Sequence, residues 1–150
     1  MKMDIVVTLN EKFSELGADN RKAESRLKNW LNLILVQTPD ESRRKKELCE
    51  VCDCKKPLND LQLHHIAGRK HDDRTITACE TCHSTLSNLQ KLRDFRWWQE
   101  EQPQTLKDAF FLQGIFDLLV LKSEKTSNSL YRDFANKLIE DIAKLLNSAI

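Results

Sequence analysis

The sequence predicts a mainly helical chain built around a small cysteine- and histidine-rich module, with helices flanking it on both sides. Three observations carry that expectation. Glycine and proline are scarce, three of each in 150 residues, which disfavours a turn-rich all-β chain. Long segments repeat their apolar residues every three or four positions, the period of an amphipathic helix. All five cysteines and all four histidines fall between Cys49 and His83.

The elements follow in chain order. A first helix is expected over about 9–16, closed by Gly17 in the C-terminal position that favours glycine. The segment 19–37, "DNRKAESRLKNWLNLILVQ", carries Ala23, Leu27, Trp30, Leu31 and Ile34 at helical spacing, with capping residues at its start. Pro39 stops it, and "TPDESRRKK" reads as a polar connection or as a short helix re-entered over 43–47. The module occupies 48–102, and its last part is expected to be helical from about Glu80 until Pro103. Two further helices are expected over 106–122 and 129–148. The resulting division is 1–47 for the N-terminal helices and a basic linker, 48–102 for the module, and 103–150 for a C-terminal helical pair.

Composition narrows the function classes. With 40% apolar and 31% charged residues the chain can bury a core. Its most apolar run, "AFFLQGIFDLLVL", contains Gln113 and Asp117 and is too short for a bilayer span of about 20 residues. The start, "MKMDIVVTLNEKF", lacks a signal-peptide core. A cytoplasmic, intracellular protein with no membrane role is therefore the expectation. An odd, clustered set of cysteines in such a chain argues for metal binding over disulfides.

Cys49-x2-Cys52 and Cys79-x2-Cys82 are two knuckles of the spacing that wraps one structural zinc. Four thiolates complete a tetrahedron and leave no open position, so such a metal builds a platform and does no chemistry. Cys54 is left over, and a free thiol is the simplest reading of it.

His64 and His65 are adjacent, and neighbouring strand residues point to opposite faces. One of them can therefore hold an ion while the other acts on a water, the division of labour of a hydrolytic metal site. His83 directly follows the second knuckle. The stretch from "CEVC" through "LQLHHIAGRKH" to "ACETCH" resembles the HNH family of endonucleases, in its form with two zinc knuckles. The resemblance covers about 48–92 and implies a ββα-metal module: two strands and a helix that present a catalytic divalent ion, whether Mg²⁺, Mn²⁺, Ni²⁺ or Zn²⁺. It further implies that His64 and His83 are ligands of that ion and that His65 is the general base. The family's middle asparagine is absent, since no asparagine occurs from Leu61 to His83, and its usual place falls on Arg74. Asp73, Asp72 or His71 are the candidates to complete the ligand set. In the polar loop "KHDD", His71 otherwise reads as a solvated side chain.

Basic residues gather near the module. From Arg43 to Arg74 there are nine Lys or Arg against six Asp or Glu, whereas Ser123 to Ile150 has four of each. Arg43, Arg44, Lys45 and Lys46 precede the first knuckle, and Arg69, Lys70 and Arg74 follow the histidine pair. Such groups contact phosphates without reading sequence, so DNA is the expected partner. In "RDFRWWQ", Trp97 and Trp98 are adjacent and cannot share a helix face, which makes at least one of them core. The expectation is a metal-dependent HNH-type endonuclease hydrolysing DNA phosphodiester bonds. The alternative is a non-catalytic zinc-stabilised DNA-binding or protein-interaction module with the same fold. The C-terminal helices are a candidate homodimer surface in either case.

Overall fold

A computed structural model describes residues 4–14 and 21–148. The chain is mainly helical with a small two-stranded antiparallel sheet. Helices α1 (Ile5–Ser14) and α2 (Arg21–Leu35) lead to the short α3 (Pro39–Ser42). Strands β1 (Leu61–His65) and β2 (Thr75–Cys79) then run directly into α4 (Glu80–Gln90). A 3₁₀ turn over Phe95–Trp98 precedes α5 (Gln104–Thr126), α6 (Ser129–Asn136) and α7 (Ile139–Ser148). Gly17 and the end of the first expected helix lie outside the described residues.

Helix α1 starts at Ile5, earlier than the expected 9, and α5 runs on to Thr126, past the expected 122. Three larger differences from the sequence expectation each have a local reason. The short helix sits at Pro39–Ser42 and not at 43–47. Thr38 caps it by accepting from the Glu41 amide, Glu41 reaches back to the Thr38 amide, and proline occupies the first turn, the reciprocal capping box that starts helices. Helix α4 ends at Gln90, well before Pro103. The chain restarts only in the 3₁₀ turn, which Asp94 caps by accepting from the Arg96 amide. The expected helix over 129–148 is two helices. The amides of Lys137 and Leu138 bond to the carbonyls of Phe134 and Ala135, at 3.0 and 2.9 Å. These tighter three-residue bonds turn the chain and drop Leu138 fully into the core.

The apolar run noted in the sequence is the middle of α5, and it forms the spine of the molecule. Phe110, Phe111, Leu112, Ile115, Leu118 and Leu119 are buried around most of its circumference, the pattern of a central helix. No helix among the described residues is long and apolar enough to cross a membrane. Leu31 of α2, Ile76 of β2, Leu86 of α4, Phe111 of α5 and Leu138 belong to one continuous hydrophobic cluster. The module and its flanking helices thus share a single core.

β1 and β2 pair in the register Leu61↔Cys79, Leu63↔Thr77 and His65↔Thr75. Gly114 is what lets α5 reach the loop that follows β1. A Cβ there would lie 1.9 Å from the Ile66 carbonyl oxygen. At Gly68 φ is +95°, and a Cβ would meet Trp97 at 2.7 Å, so both conformation and space exclude a side chain.

Candidate metal centre and histidine cluster

The strand–strand–helix unit gathers the four expected cysteines. Cys49 and Cys52 stand on a tight knuckle closed by the Leu48↔Lys55 bridge, with the Cys52 amide directed at Cys49 Sγ. Cys79 ends β2 and begins α4, which places Cys82 in the first helical turn. All four sulfurs lie within 4.8 Å of one another. A tetrahedron with bonds of about 2.3 Å has edges of about 3.8 Å, and the Cys52–Cys79 sulfur separation is 3.9 Å. This four-cysteine cluster can hold a metal ion. Among the described residues it is the one convergent group of three or more histidine, cysteine or acidic side chains. Burial first, then the neighbouring thiols, pushes the Cys82 thiol far up, as expected where a cation is needed to offset converging thiolate charge. Cys54 is exposed and outside the cluster.

Two buried charged side chains brace the first knuckle. The Glu50 carboxylate accepts from the Thr77 amide at 2.6 Å, from Trp30 Nε1 at 3.0 Å and from Lys46 Nζ at 2.6 Å. It ties the knuckle to β2 and α2. Lys122 of α5 donates to the carbonyls of Glu50 and Val51 and to Asp53, with its ammonium over the rings of Trp30 and Tyr131. Neither brace is visible in the spacing of the cysteines.

The histidines separate into a cluster and an outlier. His64 is buried, and its ring meets that of His83 edge-to-face with centroids 5.5 Å apart. Burial first, then His83, His65 and Arg93, lowers the His64 pKa to about 3. His64 is therefore a neutral imidazole at neutral pH, the form that coordinates metal. His83 is half-buried and shifted down by burial. His65, also half-buried, is lowered by burial and by Arg69, against the opposing pull of Asp73 and Asp72.

His71 is the outlier and corrects the reading of a solvated loop residue or ligand. Its ring is buried between Trp97 and Phe110, and its Nε2 lies 2.7 Å from the Trp97 carbonyl oxygen. Its Nδ1 is enclosed without a hydrogen-bond partner among the described residues. Asp73 is exposed and does not converge with the histidines into a three-ligand group. Asp72 is committed to Arg74, which binds it through Nε at 2.9 Å and Nη2 at 2.6 Å. The Arg74 guanidinium also lies 3.8 Å above the Phe111 ring. Arg74 thus anchors the loop onto α5, a structural use that leaves its fork closed to a phosphate. Lys46 pairs with Glu50, Lys45 donates to the Leu58 carbonyl and Arg43 lies near Asp40. Arg44 and Arg69 are exposed without a carboxylate partner among the described residues.

The chain after the histidine pair is held from His65 to Gly68. Gln90, at the end of α4, donates from Nε2 to the carbonyls of His65 at 2.9 Å and Ile66 at 3.3 Å. The Ile66 amide donates to Arg74, the Gly68 amide to the His65 carbonyl, and Trp97 Nε1 to the Ala67 carbonyl at 2.9 Å. Gln90 and Trp97 are the positioning residues that sequence reasoning missed. Each lies more than 20 residues from the backbone it holds, and no motif links them to it. The chain matches no protein-family model, no curated protein and no solved structure.

Proposed function

We propose that this protein is a metal-dependent endonuclease of the HNH type, cleaving DNA phosphodiester bonds at the histidine cluster. The observation that carries the reading is the meeting of His64 and His83 across the strand–helix junction, with His65 next door on a clamped loop. Cys49, Cys52, Cys79 and Cys82 would hold zinc, the ion preferred by a closed set of four thiolates. His64 and His83 would hold a second divalent cation, with water completing its shell. That cation, when bound, supplies charge stabilisation for the phosphate and the leaving oxygen. His65, on the opposite side of the pleat from His64, takes the proton from the attacking water. Its lowered pKa keeps it unprotonated and ready to do so at neutral pH. Arg69 and Lys70 bear on the phosphates, while Gln90 holds the His65 backbone in place.

The test is cleavage of supercoiled DNA with Mg²⁺, Mn²⁺, Ni²⁺ or Zn²⁺ added, beside His65→Ala checked for fold and bound zinc. Cleavage that requires the added ion and is lost in the folded variant establishes the nuclease.

A second reading is a zinc-stabilised binding module that performs no chemistry. It is favoured by the meeting of only two protein ligands at the histidine cluster among the described residues. It predicts one tightly held zinc per chain, no second exchangeable ion, and DNA binding without cleavage.

A further inference from the structure

The segment after α4 presents aromatic side chains outward where the core would ordinarily take them. Phe95 is 71% exposed and Trp98 51% exposed. They stand three apart in a 3₁₀ turn, the helix in which residues i and i+3 eclipse on one face. That register puts the two positions on one face of the turn, while Trp97 turns inward and meets the Trp98 ring edge-to-face at 5.0 Å. The turn is bolted to the loop that carries His65. Trp97 donates to the Ala67 carbonyl, Trp97 packs on Gly68, and Lys70 Nζ donates to the Trp98 carbonyl at 3.0 Å. Arg96 is held by Asp94 and by the Leu146 carbonyl, which pins the other side of the turn to α7. These are exposed aromatics carried by a backbone that is tied down beside the candidate site.

Charge says what could cover them. Lys70 uses one of its three donors on the Trp98 carbonyl and has the others free for a phosphate. Arg69 is exposed and directly precedes Lys70 in the chain. A strand of nucleic acid offers both complements together, phosphates for the cations and π-faces for the rings. A duplex does not, because its bases are already stacked.

We propose that Phe95 and Trp98 form a stacking platform for unpaired bases of a DNA strand whose phosphates lie along Arg69 and Lys70. The substrate class is then DNA with an unpaired segment next to the scissile bond, a splayed end or flap, in preference to intact duplex. This specificity rests on the nuclease reading, but the platform's binding of unpaired DNA does not.

The experiment measures binding in the His65→Ala background without added divalent ion, by fluorescence anisotropy on two labelled DNAs of equal length, a splayed-arm duplex and a blunt duplex. The expected result is tighter binding to the splayed arm and quenching of tryptophan emission. Combined Phe95→Ala and Trp98→Ala substitution should weaken splayed-arm binding roughly tenfold or more, with blunt-duplex binding unchanged. Both residues are exposed, so circular dichroism and zinc content should match the parent. Equal losses on the two DNAs, or no loss on either, overturn the proposal. So does a concentration-dependent dimer that the double variant abolishes, which would assign the rings to a second copy of the chain. If the platform is right and the nuclease reading wrong, unpaired DNA binds but no ion supports cleavage. If the reverse holds, blunt duplex is cut as well as splayed.

Discussion

Replacing Gly114 by alanine sets two physical rules against each other. A glycine in mid-helix is about 1 kcal/mol less favourable than alanine, so helix propensity alone predicts that Gly114→Ala stabilises α5. The tertiary structure predicts the opposite. The added Cβ would stand 1.9 Å from the Ile66 oxygen and 2.7 Å from its carbonyl carbon. An ordinary carbon–oxygen contact is about 3.3 Å, so the backbone must withdraw by about 1.4 Å. That carbonyl cannot swing aside cheaply. It accepts from Gln90, and the same residue's amide is bonded to the Arg74 carbonyl. Overpacking of this kind costs about 3 kcal/mol at the upper end of its usual range, which leaves a net loss of about 2 kcal/mol after the propensity gain. For a chain of this size each kcal/mol moves Tm by about 2–4 °C. The expected drop is therefore about 4–8 °C, read by thermal circular dichroism on zinc-loaded protein at a fixed scan rate. A variant that melts at or above the parent temperature would refute the close approach of α5 to the His65 loop.

Gln90→Leu removes both hydrogen bonds to the loop and should cost about 1–2 kcal/mol of stability. If the nuclease reading holds, it should also lower kcat by at least about tenfold with little change in KM, since misplacing a catalytic group by about 1 Å is expensive. A variant with parental kcat would mean that the clamp holds the fold but does not position His65. Acid should expose His64. Its folded pKa lies near 3 against an ordinary 6.5, so between those values the unfolded chain binds more protons and stability rises with pH. The contribution is fully present above about pH 6.5 and is lost as pH falls, by at most about 1.4 kcal/mol per unit. In protein with no added second ion, His64→Gln should flatten the fall in urea midpoint between about pH 6.5 and 5.5. Parallel profiles would show that His64 is not buried as a neutral group.

What the sequence disclosed depended on range. The cysteine knuckles are local patterns whose spacing speaks for itself, and the four thiols do converge. The meeting of His64 with His83 needed only a hairpin whose second strand leads into a helix. His71 was misleading because its neighbours Lys70, Asp72 and Asp73 are polar. The rings that bury it, Trp97 and Phe110, arrive from more than 20 residues away. Arg74 looked available for the same reason, its partner ring Phe111 belonging to α5. The start of α3 is legible in "TPDE" as a capping box. The break before α7 was not legible, because the apolar residues keep helical spacing through Leu138, where the tighter backbone bonds turn the chain.

Lys122 carries a consequence for how such a chain can be recombined. Its ammonium, donated from deep in α5 into the carbonyls between the first two cysteines, means that the cysteine-and-histidine segment is not a self-sufficient cassette. Cut out at 48–102 and grafted elsewhere, it would carry bare carbonyls where that cation had been. Any host would have to supply a long helix with a lysine at the matching turn.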